Sequence, residues 1–365
     1  MEETKKTCLH DKHLALGALM SPFGGFDMPI QYAGITEEHN AVRNHCGVFD
    51  VSHMGEVNIS GPDAEKYVNH IFTNDITNAP DGKIFYGMMC QEDGGTVDDL
   101  LVYKRGHNNF LLVINAANID KDIAWIEAQS EGYEIAIVNL CNILGELAVQ
   151  GPESEKIMET VLGINCSNLE FYTFEEMLLD GEHILVSRTG YTGEDGFEIY
   201  ATHDIIRKLW DQLIESGQCA PCGLGCRDTL RFEVGLPLYG DELDENITPI
   251  MAGLGFFVKL DKPEFIGREA LARQKSEGST KKIVGIELLD RAIPRHGYEV
   301  LAPDDTIIGH ITTGYRGISV DKSIAMALID EPYTKQGTEL KVKIHRKLFP
   351  AIVTSKKFYK KSYKK

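Results

Sequence analysis

Residues 57–72 (VNISGPDAEKYVNHIF) and 147–162 (LAVQGPESEKIMETVL), about 90 positions apart, repeat one rhythm of apolar and polar residues. Each is a short β-prone run, then Gly-Pro, an acid, and a stretch with apolar residues at helical spacing. The pattern predicts Pro62 and Pro152 at the first helical position, where a missing N–H costs nothing. Asp63 and Glu153 then fall in the first turn, where the helix dipole favours an acid. Two such units predict a duplicated α+β module.

Further elements follow from the same patterning. In HDIIRKLWDQLIESG (203–217) the apolar residues at 205, 206, 209, 210, 213 and 214 form one helical stripe, stopped by Gly217. ANIDKDIAWIEAQSEG (117–132) reads as a second helix. DDLLVYK (98–104) and NFLLVIN (109–115) are β-rich and separated by a short polar loop, which predicts a hairpin. HILVSRTGYTGEDGFEIYA (183–201) reads as two strands around a glycine-rich loop. RQKSEGSTKK (273–282) reads as a polar linker and the clearest boundary. After it the chain reads as β to its end, with Gly297, Gly309, Gly314 and Gly337 as turn signals.

Composition narrows the class. The 365 residues suggest two or three domains, and 43% hydrophobic with 25% charged residues is an ordinary globular balance. A net charge of −18 repels phosphate backbones and anionic membranes, so neither nucleic acid nor membrane is expected as a partner. The N-terminal MEETKKTCLHDKH lacks the apolar core of a secretory signal, and its early Glu residues argue against a transit peptide. Eight dispersed cysteines fit reduced thiols, so a cytoplasmic location is expected. The tail inverts the local charge: Lys356 to Lys365 carries six Lys, two Tyr and no acid. It reads as a solvated tail or as a lure for an acidic partner or polyanionic ligand.

Three segments bear candidate chemistry. If Arg105 to Asn109 form the hairpin loop, Lys104 pairs with Phe110 and Asp99 lies opposite Asn115. Both then share a face with Leu101, Tyr103, Leu111 and Val113, while Asp98 points to the other face. One carboxylate beside an amide and a tyrosine on an apolar face suits a positioned acid or base. Asp98 and Asp99, on opposite faces, do not form a carboxylate dyad. A bulge in the loop would break this register. In RTGYTGEDGFE (188–198), Gly190, Gly193 and Gly196 permit tight turns, but no Walker ending follows. Glu198 and Tyr200 share a strand face, and a buried Glu198 would accept two parallel hydrogen bonds from adjacent N–H donors. Cys219, Cys222 and Cys226 form C-x2-C-x3-C with no histidine to complete a set, so no metal site is expected.

Taken together, the segments resemble the glycine cleavage T-protein family of aminomethyltransferases. The matching runs are FGGFDMPIQY (23–32), GVFDVSHMGEV (47–57), GGTVDDLLVYK (94–104), VINAANIDKD (113–122), VSRTGYTGEDGFE (186–198), GLGCRDTLRFE (223–233), LYGDELDEN (238–246), HGYEV (296–300) and TTGYRGISVDKSIAMALI (312–329). They run in order over almost the whole chain. The resemblance implies an α+β three-domain cloverleaf around a central tetrahydrofolate site. Its first domain is discontinuous, 1–50 with 140–272; the second spans 51–139; a C-terminal β-barrel or jelly roll spans 283–365. It implies transfer of a methylene from the aminomethyl-lipoyl group of the H-protein to tetrahydrofolate, with release of ammonia. The family's catalytic aspartate maps onto Asp99. The resemblance further implies that Glu198 accepts from the pterin's amino and ring N–H groups. Met54, Tyr86, Tyr103, Asn115 and Tyr191 would line the pterin and benzoyl path, with Arg227 binding substrate and Tyr363 reaching the ligand from the tail. Lys360, Lys361 and Lys364 would meet the folate glutamate or the acidic H-protein. Cys226 stands where relatives often carry alanine, and Phe256 and Phe257 fall in a segment that often carries Trp. The nearest alternative is a folate-dependent demethylase of the same fold. A non-catalytic folate-binding protein is disfavoured by Asp99 and by the lack of a K-G-C-x-x-G-Q-E type segment.

Overall fold

The structure is a computed structural model that describes residues 4–361. The chain opens with α1 (His10–Ala15), a small hairpin of β1 (Leu19–Phe23) and β2 (Phe26–Gln31), α2 (Ile35–Asn44) and β3 (Gly47–Asp50). A first unit follows: β4 (Gly55–Ser60), α3 (Ala64–Ile71), β5 (Ile84–Cys90), β6 (Thr96–Gly106), β7 (Asn109–Ile114) and α4 (Ile119–Ala128). After β8 (Ala136–Asn139) a second unit repeats the order: β9 (Leu144–Gln150), α5 (Ser154–Thr160), β10 (Phe174–Leu179), β11 (Glu182–Ser187), β12 (Gly196–Thr202) and α6 (His203–Glu215). Then come β13 (Ala220–Pro221), α7 (Leu224–Glu233) and α8 (Arg268–Glu277). The remaining strands, β14 (Lys281–Leu288), β15 (Glu299–Leu301), β16 (Ile307–Arg316), β17 (Ser323–Asp330), β18 (Glu339–Ile344) and β19 (Lys347–Thr354), close into a barrel.

The two units form sheets of matching order, β5-β6-β7-β4-β8 and β10-β11-β12-β9-β3-β13. The strand that precedes each unit in the chain joins the other unit's sheet: β8 pairs with β4, and β3 with β9. The repeated Gly-Pro turns match in detail. Gly61 and Gly151 both hold φ +133°, and a Cβ there would lie 2.5 Å from Glu134 O or 2.4 Å from His45 O. Only glycine occupies such a position. The helices begin slightly later than the sequence pattern predicts: Asp63 and Glu153 are the N-cap residues, and the prolines precede them. Asp63 turns its side chain outward to accept the Glu134 N–H at 2.8 Å, so it tethers the next loop instead of capping the helix.

Each sheet covers one face with its own helices. Val57, Ile59, Leu100, Val102, Phe110 and Leu112 pack on α3 and α4; Leu147, Val149, Phe197 and Ile199 pack on α5 and α6. The α6 stripe of Ile205, Ile206, Leu209, Trp210 and Leu213 is buried as the spacing predicts, each side chain contributing about 1.5–3 kcal/mol of apolar burial. The opposite faces meet each other: Tyr103, Leu111 and Val113 of one sheet contact Phe174, Leu185 and Tyr200 of the other.

The hairpin register is the predicted one, with Lys104 opposite Phe110 and Leu101 opposite Val113. The turn is tighter than expected: Gly106 pairs with Asn109, and a bulge at Arg105 absorbs the extra residue, so the register beyond it survives. The segment 273–282 is not a linker. Its first half is the last turn of α8, and its end enters β14. The polar residues there are the solvated face of a helix that buries only Leu271.

Candidate active site

A cavity of about 990 Å³ opens between the two sheets, α7 and the barrel. Met54 before β4, Tyr86 on β5, Asp99 on β6 and Asn115 just past β7 form one wall. Glu198 and Tyr200 on β12, the loop between β11 and β12, and Arg227 on α7 form the other.

Asp99 is held on both carboxylate oxygens. Oδ1 accepts from Asn115 Nδ2 at 3.0 Å, and Oδ2 accepts from the Tyr86 hydroxyl at 2.8 Å. The Tyr86 ring stands edge-on to Phe257 at 4.8 Å, which fixes its direction. Burial, and then the neighbouring Asp98 charge, push the Asp99 carboxyl up to about 7, against the hydrogen bonds from Tyr86 and Asn115. Acid and base forms are therefore both accessible near neutral pH, as general acid–base work requires.

Asp98 lies on the opposite face, yet the two aspartates are not separate. Asn115 Nδ2 also reaches Asp98 Oδ1 at 2.8 Å, and the Asn115 N–H donates to Asp98 Oδ2 at 3.0 Å. Strand alternation misses this because Asn115 sits beyond the end of β7, where the chain turns into a 3-10 segment (Ala116–Asn118) and its N–H leaves the ladder.

Glu198 is 6% exposed and accepts from the Thr189 hydroxyl. Burial raises its carboxyl, while Thr189 and the Arg227 charge oppose the rise. Hydroxyls continue behind it: Thr189 to Ser187 at 2.6 Å, Ser187 to Tyr103 at 3.3 Å and Tyr103 to Tyr200 at 2.9 Å. The glycine-rich loop is there for close approach, since a Cβ on Gly190 would lie 2.0 Å from Gln150 Oε1. The Arg227 guanidinium lies over the Tyr191 ring at 4.8 Å, and Tyr191 donates its hydroxyl to Pro237 O.

Three buried polar atoms on residues that line this space lack a protein partner. They are Arg227 Nη1, His53 Nδ1 and Glu146 Oε2. Burial, then Arg227, hold His53 down to about 4, so its ring is neutral. Burial, then the Glu198 and Glu56 charges, raise Glu146 well above the carboxylate range. Aromatic walls from Tyr86, Tyr191 and Phe257 with Asp99, Asn115 and Glu198 among them suit a ligand that is partly apolar and carries hydrogen-bonding groups.

Of the residues singled out from sequence, Asp99, Met54, Tyr86, Asn115, Tyr191, Glu198 and Arg227 line the cavity. Tyr103 does not; it is fully buried behind Tyr200 and orients that hydroxyl instead. Tyr363 and Lys364 lie outside the described residues. Lys361 lines the mouth with Lys357, and Phe256 stands 77% exposed beside it. Sequence reasoning missed His53 and Glu146. Glu146 was findable, because it pairs with Tyr200 across β9 and β12; His53 gives no local signal. Cys222 and Cys226 come together with Glu38, their ligand atoms all within 4.8 Å, whereas Cys219 pairs with Cys46 at 3.3 Å. Glu38 spends its oxygens on backbone N–H groups of Tyr32, Gly34 and Gly223.

Comparison with known proteins agrees along the whole chain. Residues 9–262 match the GCVT N-terminal domain, and residues 281–360 match the glycine cleavage T-protein C-terminal barrel domain. An aminomethyltransferase of Alkaliphilus oremlandii is 48% identical over 369 aligned positions, with all of both chains covered. One from Thermoanaerobacter pseudethanolicus is also 48% identical at the same coverage. The crystal structure of the glycine cleavage system aminomethyltransferase T from Bartonella henselae superposes with a TM-score of 0.95 at 31% identity, covering all of both chains.

Proposed function

The chain belongs to the glycine cleavage T-protein family, and on that premise we propose that it is a tetrahydrofolate-dependent aminomethyltransferase whose catalytic residue is Asp99. The observation that carries this reading is the doubly held, half-buried Asp99 carboxyl, poised near neutrality in a cavity with a second carboxylate, Glu198, on the opposite wall. The partner is the H-protein, whose lipoyl arm presents an aminomethyl group. Tetrahydrofolate takes the methylene carbon as 5,10-methylenetetrahydrofolate, and ammonia leaves.

The cavity suits that co-substrate. A pterin offers an amino group and a ring N–H side by side, which match the two oxygens of Glu198. Arg227 Nη1 and His53 Nδ1 have unused hydrogen-bonding capacity for its remaining polar edge. Tyr86, Phe257 and Tyr191 supply aromatic walls. Lys357 and Lys361 at the mouth face the anionic glutamate end. In this arrangement Asp99 orients the nucleophilic amine nitrogen and offsets the positive charge that builds on it. Its raised carboxyl also allows it to take a proton from that nitrogen. Asn115 and Tyr86 keep Asp99 aimed, and Tyr103 keeps Tyr200 aimed. The location proposed is the cytoplasm; among the described residues no helix is long and apolar enough to cross a membrane.

The test is tetrahydrofolate-dependent ammonia release from aminomethylated, lipoylated H-protein, with wild type and Asp99→Asn. Release by wild type that collapses in the variant, with folate binding retained, supports the reading. Folate binding without release by wild type would point to a demethylase or a non-catalytic folate protein.

A further inference from the structure

A buried lysine outside the cavity lining is built into the support of Tyr86, and the reaction as described gives it no task. Lys262 is only 4% exposed. Its ammonium donates to three backbone carbonyls: Asn69 O at 2.7 Å, Phe72 O at 2.7 Å and Asn74 O at 2.8 Å. Three hydrogens thus meet three acceptors. Asn69 belongs to the last turn of α3 and Phe72 is its C-cap, so Asn74 O lies past the helix end. The segment Phe72 to Asn74 is the bed on which β5 rests. The Thr73 N–H donates to Met88 O at 2.9 Å, the Met88 N–H to Thr73 Oγ1 at 3.0 Å, and Asn74 Nδ2 to Tyr86 O at 2.8 Å. Gly87, between Tyr86 and Met88, has to be bare: a Cβ there would lie 2.7 Å from the Phe72 ring and 3.2 Å from Asn74 Cβ. The stretch of chain that carries Lys262 grips the same wall at two more points. The Lys259 N–H donates to Thr73 O at 2.9 Å, and the Phe257 ring stands against Tyr86 at 4.8 Å.

We propose that Lys262 is a positioning residue for the catalytic carboxyl: by gathering the carbonyls of Asn69, Phe72 and Asn74 it fixes the Asn74 side chain on Tyr86 O, and so holds the Tyr86 hydroxyl on Asp99 from outside the cavity. The path is continuous in hydrogen bonds. Lys262 Nζ donates to Asn74 O, Asn74 Nδ2 donates to Tyr86 O, and the Tyr86 hydroxyl donates to Asp99 Oδ2 at 2.8 Å. That last bond weakens steeply with distance and angle, so Tyr86 has to be held both at its ring and at its backbone. Phe257 does the first, and Asn74 the second. A cap on α3 alone would need only the carbonyls of the last turn. Asn74 O is not one of them, and it is the carbonyl of the residue that touches Tyr86. Burial pulls the Lys262 amine down to about 7 against the pull of the Asp75 charge. The three carbonyls suit the charged form, whose hydrogens they match one for one.

The inference rests on Asp99 being the catalytic carboxyl, so its test has one readout free of turnover. Ligand-free protein carrying 13C at the aspartate carboxyls is titrated by NMR from about pH 5 to about pH 9, with Asp99→Asn assigning the Asp99 signal. Tyr86→Phe removes a donor from the ionised carboxyl and is expected to move the Asp99 midpoint up by about one unit. Lys262→Met is expected to move it up by about half a unit. Asn74→Ala, which leaves Lys262 and its carbonyls in place and cuts the bond to Tyr86 O, is expected to do the same. Neither should add a shift in the Tyr86→Phe background, because the effect runs through that hydroxyl. Asp98, the charge beside Asp99, is the same throughout. An unmoved midpoint in Lys262→Met, as a simple cap on α3 would give, overturns the proposal. So does a shift that persists beside Tyr86→Phe, as the lysine's charge acting at a distance would give. In turnover Lys262→Met and Asn74→Ala are expected to lose about threefold to tenfold in kcat with the KM for folate little changed; a raised KM at full kcat would count against positioning. If wild type releases no ammonia, the reading of Asp99 as catalytic fails instead, while the titration still decides whether Lys262 acts on it. Should Lys262→Met not fold, Lys262→Gln, which keeps N–H donors for the carbonyls, takes its place and has to move the midpoint in the same direction.

Discussion

Asp99→Asn should make the protein less active and more stable, and the gain should depend on pH in a fixed direction. The folded Asp99 carboxyl sits at about 7, against an ordinary 3.8. A carboxyl raised by folding adds stability below its ordinary value, and that contribution drains away as pH climbs through about 7. Each pH unit between the two values is worth about 1.4 kcal/mol, so the interval from about pH 5 to about pH 7 carries roughly 3 kcal/mol at most. Interaction with Asp98 and partial exposure reduce this, as does the poorer fit of an amide to two donors, Tyr86 and Asn115. A change of about 1–2 kcal/mol in the difference between variant and wild type is therefore expected on going from about pH 5 to about pH 8. Asn does not titrate, and Glu56, Glu146 and Glu198 titrate in both proteins and cancel. Urea unfolding of ligand-free protein at the two pH values, at constant ionic strength, reads the difference directly through Trp125 and Trp210. If the stability difference is the same at both pH values, or shifts toward wild type as pH rises, the burial argument for Asp99 is wrong. Loss of turnover with a gain in stability is the usual trade at a catalytic group held away from its preferred state.

Three other outcomes test separate parts of the structure. Arg231 is fully buried, donating to Asp228 Oδ1 at 2.7 Å, Glu242 Oε2 at 2.8 Å and Thr313 Oγ1 at 3.2 Å, and so ties α7 to the barrel; Arg231→Leu should cost about 3–5 kcal/mol by stranding Glu242, and an unchanged urea midpoint would contradict this. Asp50 accepts from His13 Nε2 at 2.8 Å, Thr7 Oγ1 at 2.6 Å and the Ser52 N–H at 3.0 Å, which hold its carboxyl below the ordinary value despite burial. That stabilisation is present above the ordinary value and lost as pH falls, so Asp50→Asn should destabilise by about 1–3 kcal/mol near pH 7 and by less below about pH 4; a deficit that grows with acidity would refute the assignment. Glu198→Gln keeps the shape but presents one acceptor where two are needed, and folate affinity by fluorescence titration should fall about tenfold to a hundredfold, with unchanged affinity counting against Glu198 as the pterin contact.

Local patterns carried much of this molecule. The register of the β6–β7 hairpin was readable because a short loop leaves few pairings that keep Leu101, Tyr103, Leu111 and Val113 on one face. The bulge at Arg105 was not readable, since several turns satisfy the same residues. The repeated Gly-Pro units announced a duplication, and the sheets bear the same order. The exchange of β3 and β8 between them was invisible, because a four-residue strand carries no label for the sheet that will accept it. Polar residues 273–282 misled for a related reason: a solvated helix face and a linker have the same composition.

Legible along the chain were the elements, the hairpin that puts Asp99 opposite Asn115, the turn glycines and the family to which the motifs point. The elements and the hairpin depend on contacts a few residues apart, where spacing alone decides which side chains meet, and the family rests on motifs read one segment at a time. It took the tertiary fold to set Glu198 across the cavity from Asp99, to place Tyr103 behind the wall without lining it, and to bring His53 and Glu146 into the lining. The fold also decided that Asn115, just past the end of β7, reaches both Asp98 and Asp99 with one amide nitrogen. Burial is the reason: a carboxyl's charge state follows from how much water and how many donors the whole fold leaves around it, and no local pattern records either.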